Sequence, residues 1–130
     1  MEKLKAEVSR LADLELETAT EKHGINHSNH ESIAVFREEV EEAGDEMNNL
    51  GFTAGSIWDL TKKNAEPKTM RAAYAKAYNI AVDLACEAIQ AAAMARKGII
   101  TNIEIYGKAN METGEEAGQP AAAAPMQYGA

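Results

Sequence analysis

Aromatic residues are scarce, at 5% of the 130-residue chain. Alanine and aliphatic side chains must therefore fill the core, and 45% of the residues are apolar. There is one cysteine, Cys86, which excludes an internal disulfide and a multi-cysteine zinc site. Basic residues are also few: 13 Lys and Arg face 21 Asp and Glu, for a net charge of −8. So acidic a chain is not expected to grip a nucleic-acid backbone or an anionic membrane surface. No apolar run approaches the length of a membrane span. The opening Met1-Glu-Lys-Leu-Lys-Ala-Glu7 lacks the apolar core of a signal peptide. The expectation is one soluble, cytoplasmic domain.

What is present is helical. Leu4, Val8, Leu11 and Leu14 recur at spacings of three and four, predicting a first helix over residues 2 to about 22, ended by Gly24. The polar segment from His23 to His30 reads as a loop. Ser28-Asn-His-Glu31 is a capping box: the Ser28 hydroxyl can accept from the Glu31 N–H while the Glu31 carboxylate reaches back to the Ser28 N–H. The second helix is expected to run to about Leu50, with Ile33, Phe36, Val40, Ala43 and Met47 as its core stripe.

Residues 51–68 hold Gly51, Gly55 and Pro67 and read as an irregular insert with a short helix near Ile57 to Lys63. A third, alanine-rich helix is expected from about Lys68 to Lys97, ended by Gly98. It is apolar nearly all round, so it should be central, with Cys86 a small buried hydrophobe on it. Ile99 to Tyr106 is rich in β-branched residues and reads as a short strand or extended arm. The expected fold is an all-α helical bundle over 1–106, then a flexible low-complexity tail over 107–130.

The strongest chemical signal is Glu38-Glu39-Val40-Glu41-Glu42. At about 100° per residue, Glu31, Glu38, Glu39, Glu42 and Glu46 share one stripe, without Lys or Arg inside it. Like charges four residues apart destabilise a helix by about 0.2–0.5 kcal/mol per pair. Such a stripe either faces solvent as bare acid or receives a hard divalent cation. The third helix puts Asp83, Glu87 and Gln90 on one face, where partly buried carboxylates need an ion-pair partner, such as Lys76 for Asp83, or a metal.

These residues resemble those of the MazG-like, all-α nucleoside triphosphate pyrophosphohydrolases, especially the short phage-borne type. That family carries Glu-Glu-x-x-Glu on one helix, matched by Glu38, Glu39 and Glu42. It carries Glu-x-x-Asp on a later helix, where this chain has Glu87-Ala-Ile-Gln90 followed by Ala91-Ala-Ala-Met-Ala95. Gln90 stands where the general family has Asp and offers a neutral carbonyl oxygen. The resemblance spans roughly residues 10 to 97 and includes His23-Gly and Ser28-x-His30-Glu31.

It implies four helices around a Mg²⁺ site (or Mn²⁺ in its place) and cleavage of a nucleoside triphosphate to monophosphate and pyrophosphate. Glu39, Glu42, Glu87 and Gln90 would hold the metal. Glu38 would hold or activate the attacking water, or bind a second metal. His30, about two turns before Glu38, would reach a nucleotide phosphate or base; apart from the resemblance, Lys76 shares a helix face with Asp83 and Glu87, which makes Lys76 and Asp83 the expected substrate contacts on the third helix. The resemblance also implies a homodimer or homotetramer, in keeping with the alanine-rich helices and the apolar Ile99–Tyr106 segment.

Other features weigh less. His23 and His27 read as surface loop residues, and Trp58 as core or interface filling. Lys62, Lys63, Lys68 and Arg71 form a small basic group that would meet phosphate or surface acids. A di-iron carboxylate bundle wants Glu-x-x-His on two helices, and the sequence has none. The other function to weigh is a non-catalytic helical oligomerisation or interaction module that keeps the fold.

Overall fold

In a computed structural model of the chain, residues 1–107 are described. They form α1 (Glu2–His23), α2 (Asn29–Lys62), α3 (Pro67–Asn102) and a terminal π-helical turn (Ile103–Gly107). The fold is all-α, as the apolar periodicity requires. No helix of the described residues is long and apolar enough to cross a membrane. The expected low-complexity tail lies, beyond Gly107, outside the described residues.

Ser28 caps α2, accepting a hydrogen bond from the Glu31 N–H at 3.1 Å. The reciprocal bond differs from the expected box. Glu31 Oε2 reaches one residue further back, accepting from the His27 N–H at 3.2 Å and meeting His27 Nδ1 at 3.0 Å. These bonds hold the Glu31 carboxyl below the ordinary carboxylate value, with the nearby Lys97 charge adding to the effect.

α2 does not stop near Leu50. It continues through Gly51 and Gly55 for 34 residues in all, so residues 51–62 are helix rather than an irregular insert. Each mid-helix glycine costs about 1 kcal/mol against alanine, which tertiary packing against α3 outweighs. The chain turns at 63–66, where Asn64 takes a left-handed conformation with φ 53°. Asparagine tolerates that region better than most residues. Pro67 then opens α3 at its first turn, where no amide hydrogen is needed.

α3 likewise runs past Gly98 to Asn102 and passes into the π-turn. The β-branched Ile99–Tyr106 segment is therefore helical, not a strand or arm. α3 is central, as its all-round apolar pattern anticipates: it lies between α1 and α2 and packs on both. The residues sharing clefts between α1 and α3 advance together, Leu11 and Glu15 with Cys86 and Gln90, then Ala19 with Met94. The two helices thus run parallel, while α2 and α3 form an antiparallel hairpin.

A buried polar latch closes the end where the α1–α2 loop meets α3. The Asn26 N–H donates to Thr101 Oγ1 at 3.1 Å, and Asn26 Nδ2 donates to Ser32 Oγ at 2.9 Å. All three residues are buried. On the surface, Asp13 and Arg96 link α1 to α3 at 3.6 Å.

The expected core stripe of α2 is largely uncovered. Ile33, Val40 and Met47 keep 49%, 45% and 57% of their surface exposed. The line that meets α3 instead includes Ser32, Thr53 and Ile57, all buried, and the half-buried Glu39 lies on it, five turns before Ile57. The acidic stripe therefore borders the helix contact rather than standing opposite it. On α1 the buried residues are Ala12 and Leu16, while Leu4 and Leu14 are exposed. Cys86 is exposed too, so it is not a core hydrophobe.

Candidate metal centre

Glu39 and Glu42 lie one turn apart on α2, and Glu87 projects from α3. Each offers one carboxylate oxygen, and the three oxygens lie within 4.8 Å of one another. Glu39 and Glu87 are half-buried, and Glu42 is exposed. No salt bridge among the described residues reaches any of the three. The Glu39 carboxyl is pushed up from its ordinary value by loss of water, then by the charges of Glu42 and Glu38. The Glu42 carboxyl is pushed up by its hydrogen bond to Glu87 and by the Glu87 charge. Uncompensated acid in close quarters is the dominant electrostatic fact of the site.

Gln90, one turn after Glu87, lies against both helices' acids. With its amide nitrogen turned toward them it donates to Glu39 Oε2 at 3.1 Å and to Glu87 Oε2 at 3.3 Å. With its oxygen turned toward them it adds a fourth oxygen to the group. The side chain thus offers either a neutral donor that calms the acids or a further hard ligand, by one rotation of the amide. A cleft of about 260 Å³ opens beside the group, lined by Glu15 and Ala19 of α1, Glu39 of α2, and Gln90, Ala93 and Met94 of α3.

The other sequence candidates stand outside this group. Glu38 is exposed, and its charge is felt at both Glu39 and Glu42. His30 is exposed at the start of α2. Lys76 and Asp83 are both exposed on α3, and no ion pair joins them. Asp83 lies one turn before Glu87, at the rim of the group. Lys76 lies about three turns away along the helix. Lys62 sits 3.4 Å from Asp59 and 5.5 Å from the ring centre of Trp58. That basic group is thus partly taken up by its own helix, and Trp58 is exposed rather than core.

One residue absent from the sequence candidates stands out. Lys97 is only 6% exposed, on the most buried line of α3 between Ala93 and Thr101. No hydrogen bond or ion pair holds its ammonium among the described residues. It lies two turns past Gln90, about 10 Å along the axis and nearly on the same face. The signal in the sequence is an absence: no acid stands three or four residues to either side of Lys97.

No family model, no curated protein and no solved structure matches this chain.

Proposed function

We propose that the protein is a nucleotide pyrophosphohydrolase that uses a hard divalent cation, Mg²⁺ or Mn²⁺, at Glu39, Glu42 and Glu87. The observation that carries this is the convergence of three carboxylates from two helices with no base opposing them. An all-oxygen donor set of this charge favours a hard cation, with none of the nitrogen or sulfur ligands that zinc and copper sites usually include. The raised carboxyls of Glu39 and Glu42 support the same reading, because a bound cation removes the repulsion that raises them. The resemblance to the MazG-like enzymes supplies the reaction class.

Bound there, the cation would neutralise phosphate charge and lower the acidity barrier of an attacking water. The chain's own side chains divide the remaining work. Glu38, exposed beside the group, is placed to accept a proton from water in the open mouth of the site. Gln90 positions Glu39 and Glu87 by spanning both. Lys97 is a further phosphate contact beside Lys76, since its stem is buried on the face of Gln90 and no bond among the described residues holds its ammonium. Hydrolysis between the α- and β-phosphates would release monophosphate and pyrophosphate.

Pyrophosphate release from the common nucleoside triphosphates, with and without Mg²⁺, tests the proposal. Loss of the signal in the double variant Glu39→Ala and Glu42→Ala supports it. Equal release by wild type and double variant, or none by either, refutes it.

A further inference from the structure

A second cleft lies between α2 and α3, next to the acidic group. It holds about 450 Å³, within the roughly 300–1,000 Å³ of small-molecule sites. Phe36 of α2 and Met94 of α3 stand at its near end, and Asn29 and Asn102 at its far end. None of its lining side chains is charged. Met94 also lines the cleft beside Glu39 and Gln90, so the two clefts share a wall. Phe36 lies one turn before Glu39, and Met94 one turn after Gln90. Because α2 and α3 are antiparallel, both steps lead the same way along the hairpin. Glu87 and Met94, seven residues apart, fall on one stripe of α3. From Glu39 and Gln90 to the middle of the cleft is roughly 10 Å along the axis. A sugar with its first phosphates bridges such a gap.

We propose that this cleft seats the base of the nucleotide whose phosphates meet the acidic group, with the Asn29 and Asn102 amides reading the base edge. The proposal rests on the nucleotide reading of that group. A nucleobase is flat, uncharged and apolar on its faces, with donors and acceptors only at its rim. The cleft has the same division. Phe36 offers a half-buried ring for stacking, and the Met94 thioether is a soft contact for an aromatic ring.

The polar groups stand together at the far end. Asn102 Nδ2 donates to Asn29 Oδ1 at 3.3 Å, and both residues are exposed. An amide carries two donor hydrogens and an acceptor oxygen. The one bond leaves Asn29 Nδ2 as a donor and Asn102 Oδ1 as an acceptor, with no other partner among the described residues. An amide donor and acceptor together are the groups that hold a base edge. Gly98 lines the cleft without a side chain. A Cβ there would meet Ser32 Cβ at 3.6 Å, an ordinary contact, so the fold has room for alanine. Glycine weakens the helix, whereas the missing methyl leaves floor space for a flat ring.

The test uses the full chain and three probes: nucleosides without phosphate, nucleoside triphosphates, and inorganic tripolyphosphate. Nucleosides in chelator are expected to shift the NMR signals of Asn29, Phe36 and Asn102 saturably, whether or not the acidic group takes a metal. With Mg²⁺, at least one nucleoside triphosphate is expected to bind roughly tenfold or more tighter than tripolyphosphate, the scale of a stacked base. Phe36→Ala is expected to erase that advantage and leave tripolyphosphate binding unchanged. Asn102→Asp, which replaces a donor by an acceptor, is expected to reorder the preference among bases. Gly98→Ala is expected to weaken nucleoside binding while raising the melting temperature. It decides the matter if Phe36→Ala fails to fold. Tripolyphosphate binding as tightly as every nucleoside triphosphate overturns the base site and leaves the metal centre standing. Nucleoside shifts without any metal-dependent binding support the cleft and refute the metal centre. Cleft signals indifferent to every probe overturn the proposal and leave the cleft to another occupant, the chain beyond Gly107 included.

Discussion

Glu39 of α2 and Glu87 of α3 bring carboxylate oxygens within 4.8 Å of each other, and the Gln90 amide, turned toward them, donates to both. The geometry sets the pH response of the metal-free protein. The Glu39 and Glu42 carboxyls are raised, so the folded state holds their protons more tightly than the unfolded chain. Their contribution is fully present below the ordinary carboxylate value and is lost as pH rises through the raised values. Metal-free wild type is expected to lose thermal stability over that rise, while Glu39→Gln loses less. Melting curves in chelator across the range check it. Parallel curves for the two proteins would show that Glu39 feels no such repulsion.

Below the ordinary carboxylate value the sign reverses at Glu31. Its carboxyl is lowered, chiefly by the bond from the His27 side chain. The stability it gives is present above the unfolded value and is lost as pH falls through the lowered folded one. His27→Ala is expected to raise the Glu31 carboxyl, read by its NMR titration. An unmoved titration would contradict the bond.

Lys97 gives a kinetic prediction. Lys97→Met keeps the buried stem and removes the charge. It is expected to raise KM for a nucleoside triphosphate about tenfold or more, the scale of a lost charged hydrogen bond, with melting temperature little changed. A normal KM with a lowered melting temperature would make Lys97 structural.

The latch gives a stability prediction. Thr101→Val removes the acceptor of the buried Asn26 N–H. It is expected to cost about 1–3 kcal/mol, the penalty of an unsatisfied buried donor, by denaturant unfolding. Ser28→Ala should cost about 1 kcal/mol through loss of the α2 cap. A smaller cost at Thr101 than at the partly exposed Ser28 would argue against a dry latch.

The helical class was legible because long periodic apolar runs leave little choice, and the α2 start because a side-chain cap is a local device. The ends were not. Gly51, Gly55 and Gly98 read as breaks, since glycine weakens a helix, yet packing of α2 along α3 outweighs that local penalty. Ile99 to Tyr106 carries β-branched residues, but as a continuation of α3 it stays helical. The stripe of Ile33, Val40 and Met47 was correctly seen as apolar. Periodicity cannot tell whether such a stripe meets its own chain or is left bare, and among the described residues it is left bare. The motifs singled out Glu39, Glu42 and Glu87, and the structure brings their carboxylates together. Lys97 was missed because a lysine beside Arg96, near the expected end of a helix, shows its burial only in three dimensions.

The most direct test of the central claim is a calorimetric titration of Mg²⁺ or Mn²⁺ into wild type, Glu42→Gln and Glu87→Gln, followed by pyrophosphate assay on the same samples. The expected result is metal binding and pyrophosphate release in wild type, with both lost or sharply weakened in the two variants. Binding that survives both substitutions, or none in wild type, would contradict a metal centre at Glu39, Glu42 and Glu87 and the pyrophosphohydrolase built upon it.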